Sequence, residues 1–345
     1  MVPHHAGLIA LAMGPFVGIL VWIAVRYALQ FALARGVNDV PNERSSHTRP
    51  TPRGGGVGFV AVFLGCVVAL WFSPLRDTRL CLALLTGGAA VAAVGAWDDV
   101  QSLSARARLF VHFGAAILGL ILLDRPLSIG VPLLGSVSGT AAAILAAFFI
   151  VWSINSFNFM DGIDGIAASQ AVFVTSALAW LATRANDGAL VLANAAVAAS
   201  VVGFLVWNWH PARIFMGDVG SGFLGFLLAL LAVWGHARGA YDLWTCLIVM
   251  GAFLLDATYT LLRRLLAGQN VAAAHRDHTY QHAVQAGHSH ARVTLAYTAV
   301  NVGWLLPLAA LHEARRDWTW LVLVAYAPLL CAAIVWRAGI KPADA

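Results

Sequence analysis

Asn155–Ala167 reads Asn-Ser-Phe-Asn-Phe-Met-Asp-Gly-Ile-Asp-Gly-Ile-Ala and lies between two long apolar runs. Its polar members Asn155, Asn158, Asp161 and Asp164 recur at every third position. On a helix, residues three apart stand about 60° out of line, so such a series spirals half way round unless the helix stops. Asp-Gly is a strong turn signal, and Gly162 and Gly165 supply that stop. The stretch therefore reads as two amides on the last turn of one helix and two carboxylates at a glycine turn into the next. Such a grouping at a membrane edge suits a metal–phosphate site. Read alone, it is equally a polar interhelical turn.

The flanking runs set the fold class. Of 345 residues, 60% are apolar and 11% charged, with a mean hydropathy of +0.79, against roughly 25% charged in soluble domains. This is the composition of an all-α, polytopic integral membrane protein, read as one domain over 1–345. A span needs about 20 mostly apolar residues. Eleven stretches qualify: 7–33, 55–73, 80–97, 107–123, 138–157, 164–183, 188–207, 217–235, 243–262, 293–311 and 318–336. The run Ala6–Val25 is followed by no small-residue cleavage site, so it reads as a first transmembrane helix rather than a signal peptide. Cys66, Cys81, Cys246 and Cys331 sit in apolar runs without paired spacing and read as packing residues. The net charge of +5 is spread among loops and forms no stripe for nucleic acid.

Loop charge gives the orientation. The loops after spans 1, 3, 5, 7 and 9, with the C-terminal tail, hold 13 Lys and Arg, and the opposite loops hold 7. The richer side is expected in the cytoplasm, with the N-terminus outside and the C-terminus inside. Asp98 and Asp99, the Asn155–Ala167 stretch, Asn208 with Arg213 and Asp218, and the loop from His275 to His282 all fall on that side. Four separate loops meeting at one face is how a site is built.

Each motif has a plain and a chemical reading. Asp98-Asp99 could mark an interface or cap the next helix, yet paired carboxylates also serve a divalent cation or a proton transfer. In Phe215-Met216-Gly217-Asp218-Val219-Gly220-Ser221, the aspartate could be an N-cap. The glycines also let backbone N–H groups approach a phosphate at a helix N-terminus, with Asp218 holding Mg²⁺ against it. His275, His278, His282, His288 and His290 match no Cys/His zinc spacing, and with Arg276 they suit a diphosphate better. The loop Ser46–Gly56, which holds Arg49 and Arg53, is basic and has no acid, so it is either a solvated positive-inside loop or an anion contact. Asp256 lies inside span 9, where a carboxylate is costly; pairing with Arg263 or Arg264 is its structural alternative. Gly14 and Gly18 form a small-xxx-small pair suited to helix packing.

With these residues in hand, the chain resembles the polyprenyl-phosphate N-acetylhexosamine-1-phosphate transferases, glycosyltransferase family 4 in type. The motifs that carry the resemblance are Asp98-Asp99, Asn155-x-x-Asn158-x-x-Asp161-Gly-Ile-Asp164-Gly and Phe215-Met-Gly-Asp218-Val-Gly-Ser, and it runs from the Arg49–Gly56 loop to near Arg292. It implies transfer of a sugar-1-phosphate from a UDP-N-acetylhexosamine to undecaprenyl phosphate, releasing UMP at the cytoplasmic face of the bacterial inner membrane. Mg²⁺ is the implied cofactor, with Mn²⁺ as the second choice, and a homodimer is left open. By the family pattern Asp218 is the principal metal ligand, helped by Asn158, and Asp98 and Asp99 are the catalytic pair, one of them proposed as a base. Asn155, Asp161 and Asp164 border the nucleotide pocket, Asn208 and Phe215 line it, Arg49 contacts an anion, and Arg276 and His278 grip the pyrophosphate.

One departure narrows the branch. Relatives carry His-x-His-His in the last loop, and here the run is His278-Thr279-Tyr280-Gln281. This sets the chain apart from the phospho-MurNAc-pentapeptide translocases. Ser46-His47-Thr48-Arg49-Pro50 and the His275–Gln281 run look like the O-antigen-initiating branch, which uses UDP-GlcNAc or the 6-deoxy donors UDP-FucNAc and UDP-QuiNAc. A cation-coupled transporter is the rival class, but its expected mid-membrane polar groups and internal repeat are not evident.

Overall fold

The computed structural model describes residues 5–39, 49–123, 125–131, 135–270 and 275–340. Fourteen helices run along the described chain: α1 Ala6–Arg35, α2 Gly56–Trp71, α3 Thr78–Val100, α4 Ala105–Leu122, α5 Gly139–Met160, α6 Ile166–Arg184, α7 Gly188–Asn208, α8 Asp218–Ala237, α9 Leu243–Val249, α10 Gly251–Leu266, α11 Thr279–Gln285, α12 His290–Val300, α13 Leu306–Ala314 and α14 Leu321–Val335. A π-helical turn, Asn301–Leu305, joins α12 to α13. The described strands are two short antiparallel pairs, β1 Asn38–Asp39 with β2 Thr51–Pro52, and β3 Ser128–Val131 with β4 Gly135–Ser138. The protein is an all-α, multi-pass membrane protein.

Among the described residues eight helices are long and apolar enough to cross a membrane, nine if α9 and α10 count as one bent span. The shorter α2 and α14 match two more of the eleven predicted stretches. α8 is the axis, buried at every residue from Val219 to Gly235, with α3 and α5 packed along it. The approach of α5 is close enough to demand glycine: a Cβ on Gly225 would lie 2.5 Å from the Ser153 carbonyl oxygen and 2.6 Å from the Ile154 Cα. α1 instead turns Leu11, Phe16, Ile19, Tyr27 and Phe31 outward, as a lipid-facing helix should. Gly18 of α1 does lie against Gly203 of α7, but Gly14 has nothing within 4 Å of where a side chain would begin. Only half of the small-residue pair is a packing contact.

Span 9 departs from the sequence reading. Instead of one straight helix over 243–262, the chain bends by 78° between α9 and α10. The reason is visible in α10, where Asp256, Thr260 and Arg264 recur every fourth residue and are all buried, while Leu262, Leu265 and Leu266 are exposed. A helix with such a polar stripe must turn it to protein partners rather than to hydrocarbon.

Candidate active site

α5 ends at Met160 and α6 begins at Ile166, with Gly165 at φ +74° as the N-cap. The glycine turn predicted from Asn155–Ala167 is therefore present. It splits the four polar residues. Asn155, Asn158 and Asp161 face a cavity of about 690 Å³. Asp164, past the turn, points elsewhere.

The cavity lining is of two kinds. Arg108, His112, Asn155, Asn158, Asp161, Asp218, His275, His278 and Gln281 line its polar part, and Leu109, Phe113, Phe148, Trp152 and Leu261 its apolar part. The helix ends around Asp218 are held by backbone bonds. Phe215 N–H donates to Pro52 O (2.8 Å), Gly55 N–H to Phe215 O (2.9 Å) and Gly56 N–H to Met216 O (2.9 Å), which straps the start of α2 to the start of α8. Asp99 then caps α8 from outside, accepting from the N–H groups of Asp218 (2.9 Å) and Val219 (3.1 Å). Free N–H groups and the positive end of the helix dipole favour a carboxylate there. Asp218 is the first helical residue and makes no side-chain cap, so the simple N-cap reading is replaced by a carboxylate free for other partners.

Two guanidiniums bind this acidic group together. Arg53 Nη2 lies 2.8 Å from Asp99 Oδ1 and 2.7 Å from Asp218 Oδ1. Arg108 pairs with Asp98 and stands 3.7 Å from Asp218 Oδ2. Asp98 also accepts from Leu103 N–H at 2.6 Å, closing the α3–α4 turn. Burial works against a charged Arg53, but Asp218 and Asp99 outweigh it and hold the guanidinium above its ordinary pKa. Asp161 is pushed up to about 7, first by burial and then by the carboxylates of Asp218 and Asp99, which Arg53 only partly offsets. His275 is pushed down to about 4 by burial, with His278 and Arg264 adding to the shift, so its imidazole is neutral at pH 7. Asn158 Nδ2 donates to Ser221 Oγ at 3.2 Å, tying the end of α5 to α8.

Several predicted contacts fall outside the cavity lining. The Asp164 carboxylate accepts from Ala212 N–H (3.2 Å) and meets His210 Nδ1 at 2.6 Å and His290 Nδ1 at 3.2 Å. It fastens three segments to one another, and these bonds hold it below the ordinary carboxylate range against the opposing effect of burial. Among the described residues this trio also forms the one metal-capable group of three or more His, Cys, Asp or Glu side chains. Asn208 is spent in the same way, accepting from Gly165 N–H and donating to Ile214 O, both at 3.0 Å. Phe215 is half-buried and acts here through its backbone. Arg276 is exposed and contributes its carbonyl to Gln285 (2.9 Å), and Arg49 is exposed with its carbonyl bonded to Thr51 (3.1 Å). Ser46, His47 and Thr48, which carried part of the branch reading, lie outside the described residues.

Sequence reasoning passed over Arg108 and His112 as site residues, and it named Arg53 and Tyr280 without giving either a role of its own. Arg108 counted only as loop charge, since an arginine on the positive side needs no special explanation, and Arg53 belonged to a loop read as either solvated charge or anion contact. Arg53 follows a Thr-Pro and precedes three glycines, a setting that signals a fixed backbone rather than a loose loop. Tyr280 donates to Phe159 O at 3.0 Å and packs on Gly162, where any Cβ would collide with its ring.

Comparison with known proteins agrees with this geometry. Residues 81–236 match the family described as glycosyl transferase family 4. The chain is 29% identical over 286 residues to a probable undecaprenyl-phosphate N-acetylglucosaminyl 1-phosphate transferase of Bacillus subtilis, covering 82% of this chain and 78% of that one. It is 31% identical over 318 residues to the decaprenyl-phosphate N-acetylglucosaminephosphotransferase of Mycobacterium tuberculosis, covering 82% and 78%. A phospho-N-acetylmuramoyl-pentapeptide-transferase of a Synechococcus strain is 32% identical over 276 residues, covering 74% and 78%.

Proposed function

The chain belongs to the polyprenyl-phosphate N-acetylhexosamine-1-phosphate transferases, a family of membrane phosphotransferases, and from that premise we propose that it transfers GlcNAc-1-phosphate from UDP-GlcNAc to undecaprenyl phosphate. UDP-FucNAc and UDP-QuiNAc are the alternative donors. The step would open a cell-surface polysaccharide of O-antigen type at the cytoplasmic face of a bacterial inner membrane, with the N-terminus outside and the C-terminus inside. One observation carries the reading: Asp161, Asp218 and Arg108 line a cavity that also has an apolar wall, and Asp98, Asp99 and Arg53 are ion-paired to that group from behind. A lipid phosphate needs both kinds of lining at once. Three relatives whose names specify GlcNAc support that donor. The absence of the two family histidines that follow the position of His278 favours it over the pentapeptide-transferase branch.

The donor set fits Mg²⁺, with Mn²⁺ as the alternative, because it is all carboxylate and amide oxygen. Asp218 would be the main ligand, being more exposed (21%) than Asp99 (10%) or Asp98 (7%), and Asn158 would assist. When bound, the cation would offset charge on the diphosphate. Arg53 and Arg108, which brace the carboxylates, are within reach to share that work. Both oxygens of Asp99 accept N–H groups of α8, and Asp98 is taken by Leu103 and Arg108, so both suit positioning better than proton removal. Little is lost by this, since a phosphate monoester has its second pKa near about 6 and attacks as a dianion. Its oxygen bonds to the sugar-bearing phosphorus, the bond from that phosphorus to the UMP oxygen breaks, and UMP leaves with the electron pair. His278 stands at the cavity wall to hold the diphosphate, and Tyr280 and Gln281 shape the wall beside it.

The test is UMP release by purified protein with undecaprenyl phosphate and Mg²⁺ across a panel of UDP-N-acetylhexosamines. UDP-GlcNAc is expected to be the best donor, and Asp218→Asn is expected to lower turnover by about 100-fold or more. Folded protein that released no UMP from any donor would overturn the reading.

A further inference from the structure

Asp256, the acid that the sequence places inside a span, has no part in the mechanism above. Its side chain is 5% exposed and has neither of its anticipated arginine partners. Arg264 pairs with Asp277, and Arg263 reaches Tyr259 and the Ala338 carbonyl. Asp256 instead gathers donors from its own helix and two others. Oδ1 accepts from Thr260 Oγ1 and from Thr279 N–H, both at 3.1 Å, and Oδ2 accepts from Tyr297 O–H at 2.7 Å. The same Oδ1 lies 3.4 Å from His278 Nδ1.

His278 has little freedom of its own. It is 1% exposed, and its ring is held between Phe159 (centroids 6.3 Å apart, 24° between planes) and Tyr280 (5.9 Å, 13°). What the aromatic rings leave undetermined is which nitrogen carries the proton, and that is set by the partner of Nδ1. Nδ1 is buried and makes no well-formed hydrogen bond of its own, and two groups stand near it. Asp256 would accept from a protonated Nδ1, whereas a capping box would have Nδ1 accept from the Gln281 N–H. A carboxylate that is already anchored by three donors cannot swing away, and it favours an N–H opposite.

We infer that Asp256 is a positioning residue for His278, holding Nδ1 protonated so that the opposite ring edge meets the diphosphate of the donor. The catalytic half of this statement rests on the transferase reading above; the tautomer does not. On this basis the α9–α10 bend acquires a purpose, since it carries Asp256 under the loop that holds His278.

Two measurements test it. In ¹⁵N-histidine-labelled wild-type protein, with His278→Gln used for assignment, His278 is expected to show a protonated Nδ1, and Asp256→Asn to alter that signature. An unprotonated Nδ1 in the wild type would overturn the inference in favour of the capping box. In a double-mutant cycle, Asp256→Asn is expected to lower kcat by about 10- to 100-fold with little change in donor KM, as for other carboxylates behind functional imidazoles. The same change made on top of His278→Gln is expected to cost far less. Losses that multiply independently would mark Asp256 as merely structural. A wild-type protein without UMP release would sink the transferase reading, while the nitrogen spectrum would still decide the Asp256 assignment.

Discussion

Asp161 shows how far a single residue's chemistry can be set by its neighbours. Its pKa of about 7, raised by burial and then by Asp218 and Asp99, lies above the ordinary carboxylate value of about 3.9. The folded state therefore keeps a proton that the unfolded chain gives up across that window. Stability that depends on this proton is full at the acid end and is lost as pH rises from about 4 to about 7. Metal-free protein is accordingly expected to melt at progressively lower temperature over that range, and Asp161→Asn to flatten the slope. Parallel melting curves for the two proteins would refute the assignment. The residue scale is also where sequence reading was uneven. Asn155, Asn158 and Asp161 were legible because their spacing, cut by Gly162, admits few other arrangements. Arg53 and Arg108 were not, because an arginine in a loop gives no sign of which carboxylate it will meet.

At the scale of elements, the site depends on how closely four helix ends approach. Gly217 has φ +76°, a conformation that L side chains rarely adopt, and a Cβ there would lie 2.6 Å from Asp99 Oδ2. Gly217→Ala should therefore push Asp99 off the start of α8 and destabilise the protein by roughly 1–3 kcal/mol. Loss of UMP release together with a lower melting temperature is the expected result, and a wild-type-like Gly217→Ala protein would show that this cap is dispensable. The same scale explains the site candidates that lie outside the cavity lining. Asp164, Asn208 and Phe215 belong to motifs that look like ligand contacts, yet a loop that must hold its shape uses polar groups to bind its own backbone. Asp164 and Asn208 do this for the segments after α5 and α7, and the Phe215 backbone does it for the start of α2.

For the molecule as a whole, the segments carrying Asp99, Asp161, Asp218 and His278 lie together, as the loop-by-loop sorting anticipated, and Arg53 joins them. Lys and Arg favour the same side by 13 to 7. A fluorescent protein fused after Ala345 should consequently fold and fluoresce in the cytoplasm. An active alkaline phosphatase fused at the same point would reverse the proposed orientation.

What the sequence determined by itself was the solvent and the inventory. Long apolar runs have no stable home but a membrane, and a spanning chain must be helical because hydrocarbon satisfies no backbone hydrogen bonds. Asp256 apart, the same runs leave the motif residues at their ends, so those motifs had to lie at faces. What tertiary structure alone decided was pairing. Whether Asp99 reaches the start of α8, whether Asp164 meets His210 and His290, and whether Asp256 joins Arg264 or approaches His278 depend on distances of a few ångströms between segments far apart in sequence. Hydrogen bonds and ion pairs weaken steeply over such distances, and no local periodicity encodes them.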